Sequence, residues 1–184
     1  MKKVLAIVII AVVVLAFGLI GFSGYIGMFS KIEVYEKEIG PYHYVYKEFR
    51  GDYKLTGPVF DEVYDAVKKE GIKSDLGIGI YYDDPAKTPV KDLRSDCGTI
   101  IAKEDVAKAK NLNAGLKTGM IKKSIKAIAE FPIKNTLSYM FGPMKAYPAL
   151  AVYAKEKEYK EAVLAYEIYD VKGKKIFFVM DIVK

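Results

Sequence analysis

The sequence predicts an α+β fold in which a ββαββ unit occurs twice, as a pseudo-twofold duplication, behind one N-terminal transmembrane helix. Three observations lead to this prediction. The chain begins with a long uncharged apolar run, the order strand, strand, helix, strand, strand occurs twice after it, and glycine and proline break the strand pairs at matching places. The predicted organisation is an anchor at residues 1–30 and one domain at residues 31–184.

The apolar run is long enough to span a bilayer. Residues 4–22 are nineteen apolar side chains and glycines, and no charged residue occurs between Lys3 and Lys31. About 20 helical residues cross a hydrocarbon core of about 30 Å. A cleaved signal peptide is the competing interpretation, but its apolar region normally spans only about 7–15 residues. We therefore predict a single-pass anchor that contacts the lipid bilayer through residues 4–29.

The charges that flank the anchor favour one orientation. Lys2, Lys3 and the free amino group favour a cytoplasmic N-terminus, which would place the domain on the extracytoplasmic side. Lys31, Lys37 and further basic residues follow the anchor and oppose that orientation. The sequence predicts a membrane location and leaves the side of the domain open, with a preference for the outside.

The composition of the domain excludes several function classes. From Lys31 onward, 27 basic residues face 23 acidic residues, a small and scattered excess that predicts no nucleic-acid partner. One cysteine excludes an intrachain disulfide and multi-cysteine metal sites, and one histidine leaves little for common catalytic triads. We predict no cofactor and no metal site.

The first ββαββ unit covers about residues 31–102. Tyr42, Tyr44 and Tyr46 alternate with other residues at the period of a strand, whereas apolar residues from Val59 to Val67 follow helical spacing. In chain order, the pattern predicts two strands within 31–49 broken at Gly40-Pro41, a helix at 57–70, and strands at 77–84 and 97–102.

The second unit covers about residues 126–184. It repeats the order with strands at 127–132 and 134–141, a turn at Phe141-Gly142-Pro143, a helix at 144–157, and strands at 165–170 and 175–183. A short helix or loop at 104–117 joins the two units. Because a ββαββ unit covers one face of its sheet with a helix, we predict a ligand cleft on the opposite face. The alternative is that the repetition reflects only an α+β core without a site.

Several groups of residues resemble the GyrI-like family, whose small-molecule-binding domains also occur in multidrug-sensing transcription regulators. The resemblance covers about residues 31–184. It rests on the turn and helix of the first unit and on three motifs, Tyr81-Tyr82-Asp83-Asp84-Pro85 with the later Leu93-Arg94-Ser95-Asp96, Tyr147-Pro148-Ala149-Leu150, and Glu167-Ile168-Tyr169. It implies a GyrI-like or SOUL-like fold with a binding cleft. Since no helix-turn-helix region is present, the regulator function is not expected.

The combination of an apolar N-terminal helix with this domain resembles a membrane-anchored subgroup of the family, which includes an ER-phagy receptor of animals. The resemblance implies an anchored domain. The receptors' acidic tail with its autophagy motif has no counterpart after Lys184, so the autophagy role is not carried over.

The family resemblance implies a ligand-binding role for Glu167, which would face cationic aromatic ligands in the cleft. Alternation places Tyr169 on the same strand face as Glu167, and the pseudo-symmetry predicts Tyr82 opposite Tyr169. A partly buried carboxylate attracts a delocalised cation, and aromatic faces add about 0.5–2 kcal/mol. The alternative for Glu167 is an exposed strand residue or a structural hydrogen-bond acceptor.

Four charged residues near the first motif are predicted to be structural. Asp83 and Asp84 follow a strand and precede a proline, where carboxylates cap turns, and Arg94 could bind that loop with two hydrogen bonds. Asp96 is assigned to the same loop.

The predicted function is therefore a membrane-anchored domain that binds a lipophilic or cationic aromatic small molecule. Two alternatives stay open. The cleft could hold a protein partner, which would make the chain an adaptor, or the domain could resemble those GyrI-like proteins that hydrolyse reactive natural products. No catalytic residue is assigned.

Overall fold

A computed structural model describes residues 2–25, 27–112, 115–160 and 165–182. Its first helix, α1, spans Lys2–Tyr25, and its apolar stretch is not buried against the rest of the described chain. By length and composition α1 could cross a bilayer, although a signal sequence would have the same properties. The apolar helix that the sequence predicts is therefore present and ends at Tyr25 rather than Phe29.

The domain is built on one curled, antiparallel, eight-stranded half-barrel. Its strands are β1 (Val34–Ile39), β2 (Tyr42–Arg50), β3 (Leu76–Tyr81), β4 (Arg94–Ile101), β5 (Lys117–Ile121), β6 (Ser124–Pro132), β7 (Ala165–Asp170) and β8 (Lys175–Asp181). The helices are α2 (Gly57–Lys69), α3 (Val106–Ala109) and α4 (Ser138–Glu156). The strand order is β1-β6-β8-β7-β3-β4-β2-β5, and every pair is antiparallel. The predicted α+β class is confirmed.

The two central strands place the residues that matter for the site. In the pairing of β3 with β7, Gly77 lies opposite Tyr169 and Gly79 lies opposite Glu167. Opposite residues of an antiparallel pair point to the same face, and so do residues two apart in one strand. These four positions and Tyr81 therefore share one face at the centre of the sheet.

The helices α2 and α4 lie on that same face, called here the helix face. The buried side chains of α2 pack against Val45 and Ile101 of the sheet, and those of α4 pack against Phe131 and Phe178. None of the described helices packs on the second face, yet its residues are buried because the sheet curls and brings outer strands over the centre. Its largest members are Ile39, Tyr44, Ile78, Ile80, Ile128, Tyr166 and Ile168.

The second half departs from the sequence prediction before residue 144. The segment 134–141, predicted as a strand, forms a turn and the first residues of α4, and Phe141-Gly142-Pro143 lies inside that helix. The strand that precedes β6 is β5, which begins at the last residue of the segment predicted as a linker. The unit boundary expected near residue 126 is therefore displaced toward residue 117.

Local polar contacts and packing explain this departure. Backbone N–H groups of Lys134 and Asn135 donate to Ser138 Oγ, which closes a turn where a strand would be extended. Gly142 then allows α4 to lie close to the sheet, since a Cβ there would be 2.9 Å from Phe178 Cζ. This contact buries the apolar side of α4, and it outweighs the presence of Pro143 within the helix.

Gly98 is required where β4 passes β2. A Cβ at this position would lie 2.1 Å from the Val45 carbonyl oxygen, an overlap that only a backbone shift can relieve. We expect Gly98→Ala to lower the free energy of unfolding by about 1–3 kcal/mol, the usual cost of overpacking. Urea unfolding of the full chain in detergent measures this. Gly57→Ala is the matched control, because no atom lies within 4 Å of its added Cβ; equal stability of the two variants would contradict the packing argument.

Candidate functional site

A cavity of about 760 Å³ lies on the helix face, between α2 and the start of α4. Pockets for small ligands typically enclose about 300–1,000 Å³. The floor is formed by β3 and β7, one wall by residues 53–64, and the other by Thr136, Tyr139 and Met140. The predicted cleft is thus found on the face opposite to the one expected. The helix-free face is filled by its own side chains.

Two glycines of β3 make room for the aromatic floor. A Cβ at Gly77 would lie 3.2 Å from the Tyr169 ring, and one at Gly79 would lie 2.9 Å from the Tyr81 ring and 3.2 Å from Phe60 Cζ. The alternation Gly77, Gly79, Tyr81 therefore lets three rings lie directly over the strand. Any larger side chain at Gly79 would push Tyr81 or Phe60 into the cavity.

Glu167 lies on the same face of the sheet as Tyr169 but does not line the cavity. It is buried, with 4% of its surface exposed. Its two carboxylate oxygens accept hydrogen bonds from two phenols, Tyr147 to Oε1 at 2.9 Å and Tyr169 to Oε2 at 2.8 Å. Burial raises the pKa of Glu167 to about 7, although both hydrogen bonds favour the ionised form and act in the other direction. The carboxylate is therefore poised to gain or lose a proton near neutral pH.

A chain of hydroxyl groups connects Glu167 with the cavity. The Tyr169 hydroxyl has one proton and donates it to Glu167, so the Tyr81 hydroxyl, 2.8 Å away, donates to the Tyr169 oxygen. Burial raises the pKa of Tyr81, Tyr169 and Tyr147, which keeps all three phenols protonated at neutral pH. Because Tyr81 and Tyr169 line the cavity, a ligand would sense the charge of Glu167 through them.

Further aromatic rings surround Tyr169 and Tyr81. Phe60 of α2 meets Tyr169 edge-on with centroids 5.4 Å apart, and Tyr139 of α4 lies 5.8 Å from it. Tyr53 meets Tyr81 edge-on at 4.9 Å. Edge-on pairs stabilise each other and hold the rings in fixed orientations. The cavity thus presents flat apolar walls that suit an aromatic or lipophilic molecule.

The charged residues at the cavity rim balance one another. Lys54 and Lys172 lie there with Asp61 and Asp75, and Lys172 is hydrogen-bonded to Asp75. Exposed pairs of this kind contribute little and are screened by salt. The carboxylate of Glu167, which is buried and unpaired with any cation in the described residues, therefore dominates the electrostatics of the floor.

Tyr82 does not lie opposite Tyr169, and this part of the prediction is wrong. Its hydroxyl donates to Asp96 Oδ2 at 2.6 Å on the second face of the sheet, and the side chain is 48% exposed. The residue that faces Tyr169 is Tyr81, one position earlier. Alternation along β3 explains the error, because a shift of one residue moves a side chain to the other face.

The loop after β3 contains Asp83 and Asp84, and both side chains make local hydrogen bonds. The Asp83 carboxylate accepts hydrogen bonds from Arg94 Nε at 3.0 Å and Nη2 at 2.9 Å, as well as from the Arg94 backbone at 2.7 Å. The hydrogen bonds from the Arg94 side chain hold the pKa of Asp83 below its usual value. Asp84 accepts from the Ala86 N–H at 2.9 Å and closes the turn. None of these residues lines the cavity.

Asp96 belongs to β4 rather than to the loop. It is buried on the second face, where burial raises the pKa of its carboxyl group and the hydrogen bond from Tyr82 lowers it. It lies on the face opposite to the cavity.

Sequence reasoning did not identify Tyr81, Tyr147, Phe60 and Tyr139 as site residues. Tyr81 was within reach of the sequence, since two glycines two residues apart, followed by a tyrosine at the same spacing, mark one strand face with free space above it. Tyr147 lies on α4, and its approach to Glu167 depends on how that helix packs on the sheet.

Loss of the Tyr169 hydroxyl tests this arrangement. We expect Tyr169→Phe to raise the pKa of Glu167 above 7, because the ionised carboxylate loses one of its two donors while its burial is unchanged. The carboxyl stretching band in infrared spectra, followed against pH, measures this pKa. Tyr82→Phe is the control and should leave the titration unchanged. If the two variants titrate alike, Tyr169 does not stabilise the charge of Glu167.

Among the residues that the structure describes, no group of three histidine, cysteine, aspartate or glutamate side chains could hold a metal ion. The chemistry of the cavity therefore rests on its phenols, its aromatic rings and the one buried carboxylate.

Comparison with solved structures shows the same fold in other proteins. EcmrR in a complex with DNA is 14% identical over 92% of this chain, with a TM-score of 0.62, and this chain spans 63% of its length. The EcmrR C-terminal domain is 13% identical with a TM-score of 0.59, and the match covers 83% of this chain and 98% of that domain. A hydrolase from Listeria innocua is 8% identical with a TM-score of 0.50, covering 82% and 91%. At these identities the likeness concerns the fold.

Comparison of the sequence identifies the family. No curated protein matches the chain. Residues 32–175, well over half of the chain, match the family described as GyrI-like small molecule binding domain. The matched range contains both helices and both central strands of the cavity. The chain therefore belongs to the GyrI-like family of small-molecule-binding domains.

Proposed function

We propose that this protein is a membrane-anchored receptor for a small lipophilic or cationic aromatic molecule, held at the bilayer by α1 as a single-pass anchor. The observation that carries the proposal is the buried carboxylate of Glu167, which lies behind Tyr169 and Tyr81 at the floor of a cavity of about 760 Å³. Membership of a small-molecule-binding family supports it. The uncharged residues 4–25 of α1 and the two lysines at its start support an anchor with the domain outside the cytoplasm.

The chemistry of the cavity favours a cation with flat apolar surfaces. Phenols that donate to a carboxylate carry extra negative charge on their rings, which strengthens attraction to a cation above them. The rings of Tyr169, Tyr81 and Phe60 supply contact area at little cost in side-chain entropy. In this proposal Tyr169 and Tyr81 contact the ligand, while Glu167 supplies the charge from behind. Tyr82 is assigned no ligand contact because it lies on the other face.

We also propose that the domain is a duplicated ββαββ unit, now bounded at β1–β4 and β5–β8. The strand order supports this symmetry. When β1 is exchanged with β5, β2 with β6, β3 with β7 and β4 with β8, the new strand order is the original one read backwards. The cavity then lies at the pseudo-twofold axis, where β3 and β7 meet. This position explains why one unit supplies Tyr81 and the other supplies Tyr169.

Binding fits the geometry better than hydrolysis does. A general base must reach a water molecule in the cavity, but both oxygens of Glu167 are occupied by phenols and the side chain is covered by Tyr169. The likeness to a Listeria innocua hydrolase is a likeness of fold and assigns no reaction. A protein partner in the cavity remains an outcome of the ligand test.

The ligand proposal is tested by thermal unfolding of the full chain in detergent. The probes are tetraphenylphosphonium as a lipophilic cation, a porphyrin, and diacylglycerol as a neutral lipid. A ligand at a hundredfold excess over its Kd adds about 2.7 kcal/mol of stability, which should raise the midpoint by several degrees. We expect the cation to give the largest shift. No shift with any probe would overturn the small-molecule proposal and favour a protein partner.

The anchor proposal is tested by alkaline carbonate extraction of membranes that contain the full chain. An integral anchor keeps the protein in the membrane pellet. Release into the supernatant, or a mature N-terminus near Ser23 or Gly24, would show that residues 4–22 are a cleaved signal sequence.

A further inference from the structure

Hydrogen bonds connect the end of α1 to the beginning of α4 and the turn before it. Lys134 donates to the Gly24 carbonyl at 3.2 Å, and the Asn135 side chain donates to the Tyr25 carbonyl at 2.7 Å. Lys145 donates to the Met28 carbonyl at 2.6 Å. These three hydrogen bonds connect the last turn of α1 and the segment after it to residues 134–145.

The junction is also packed. Gly27 is buried and adopts a φ of +83°, and a Cβ there would lie 3.1 Å from Phe131 Cζ. Phe131 is itself a fully buried core residue of the domain. The segment that follows α1 therefore packs against the domain, and the end of α1 lies next to one particular end of the sheet.

Two residues that line the cavity lie in segments next to this end of the domain. Met140 lines the cavity and lies in the first turn of α4, five residues after Asn135. Val171 lines it from the turn after β7, and that turn meets the junction where the Ile133 N–H donates to the Lys174 carbonyl at 2.8 Å. Both Met140 and Val171 therefore lie close to the place where α1 ends.

The surface beside the junction exposes apolar side chains, and lysines occur in the same segments. Phe29 is 68% exposed, Met144 63%, Val171 60% and Met140 44%. Met140 and Met144 are one turn apart on the same side of α4. Lys134 and Lys174 lie in the segments beside these side chains, Lys172 is paired with Asp75, and residues 134–145 contain no acidic side chain. Flexible methionines beside lysines suit the boundary between acyl chains and anionic headgroups.

We infer that the cavity opens onto the bilayer interface and takes its ligand, an amphiphile, directly from the membrane. The inference rests on the proposed membrane anchor, because a helix that ends at the interface brings its attached surface there. Phe29, Met144 and Met140 lie among the headgroups and the upper acyl chains. An amphiphile in the leaflet then passes Met140 and Val171 to reach Tyr169 without crossing bulk water.

The test uses the full chain in phospholipid vesicles, with single cysteine replacements that carry a bimane fluorophore. The native Cys97 is fully buried, and burial raises the pKa of its thiol to about 11, so it does not compete for the label. The label is placed at Leu15 within α1, at Phe29 and Met144 in the proposed interface, and at Val90 as a control. Val90 is 55% exposed and precedes β4 at the other end of the sheet. Brominated lipids quench bimane only at short range.

We expect loss of fluorescence at Leu15, Phe29 and Met144, and none at Val90. Quenching at Leu15 without quenching at Phe29 and Met144 would overturn the inference and leave the anchor standing. No quenching at Leu15 would overturn the anchor itself, and with it the inference. Equal quenching at Val90 and Met144 would show that the domain adheres to lipid without a preferred end, which also contradicts the inference.

A second readout tests entry of the ligand. Uptake of a fluorescent lipophilic cation from preloaded vesicles should slow about tenfold in Met144→Glu, which corresponds to about 1.4 kcal/mol of added barrier. Val90→Glu should leave the rate unchanged. If Met144→Glu and Val90→Glu take up the cation at equal rates, the ligand does not enter through this surface. Quenching by brominated lipids at position 144 would then show that Met144 contacts the membrane without taking part in ligand entry.

Discussion

Glu167→Gln is expected to weaken the binding of a cationic aromatic ligand by some 30-fold to several thousandfold. This range corresponds to about 2–5 kcal/mol, the usual cost of removing one partner of a buried charge pair. Glutamine keeps the shape of the side chain and can still bond Tyr147 and Tyr169, so the floor of the cavity stays in place. Isothermal titration of the full chain with tetraphenylphosphonium measures the loss.

The same charge makes the affinity depend on pH. Because a bound cation favours the ionised form of Glu167, whose pKa is about 7, binding releases a proton and becomes tighter as pH rises from about 6 to 8. The glutamine variant should show no such dependence. A neutral ligand of similar shape should bind both proteins alike.

Two variants decide between charge selection and a purely aromatic slot. Tyr169→Ala removes a ring from the floor, whereas Tyr82→Ala alters a ring on the other face and serves as its control. If Glu167→Gln leaves cation binding unchanged while Tyr169→Ala abolishes it, the cavity binds by ring contact alone. If all variants bind like the wild type, the ligand does not occupy this cavity.

The stability of the protein is expected to fall by about 3 kcal/mol between pH 4 and pH 8 because of Glu167 alone. Its carboxyl group has a pKa of about 7 in the folded state and 4.5 ordinarily. The folded state therefore holds this proton more tightly than the unfolded state, and one pKa unit corresponds to about 1.4 kcal/mol. The contribution is complete below pH 4.5 and is lost as the pH rises through 7. Urea unfolding of the full chain at several pH values measures it.

Glu167→Gln should remove this loss, so that its stability relative to the wild type improves by about 3 kcal/mol from pH 4 to pH 8. Glu130→Gln is the control with the opposite sign. Burial of Glu130 raises its pKa, but hydrogen bonds from Lys175 and Tyr35 outweigh that effect and lower it overall. In the wild type, ionised Glu130 stabilises the folded state above the pKa that its carboxyl group has in the unfolded chain. This stabilisation is lost as the pH falls. Parallel pH profiles for both variants would contradict the assigned pKa of Glu167.

Several elements of the fold were predictable from local pattern. The strand at 165–170 has the predicted bounds, and α2 differs from its prediction by one residue. Both segments combine a clear period with clear end signals, such as Pro58 at the start of α2 and Gly71 after its end. The bidentate contact between Asp83 and Arg94 also followed from residue chemistry and turn geometry.

The errors occur where packing outweighs local pattern. Residues 134–141 contain aromatic and β-branched side chains typical of a strand, yet Ser138 closes a turn and Gly142 fits α4 against Phe178. The sequence pattern places Tyr82 rather than Tyr81 in the site because the two are adjacent and the motif does not tell which one faces the helices. A single residue of register separates a cavity residue from one on the opposite face.

The sequence by itself determined the apolar N-terminal helix, the α+β class, the GyrI-like resemblance, and the placement of Glu167 and Tyr169 on one strand face. These features depend on composition, period and spacing, which are properties of neighbouring residues. The tertiary structure alone decided that the cavity lies between α2 and α4, that Tyr81 and Tyr147 join the site, and that Glu167 is buried behind the phenols. Those features depend on contacts between residues far apart in the sequence, such as Phe60 with Tyr169 and Tyr81 with Tyr169, whose distances are set by how the helices pack on the curled sheet.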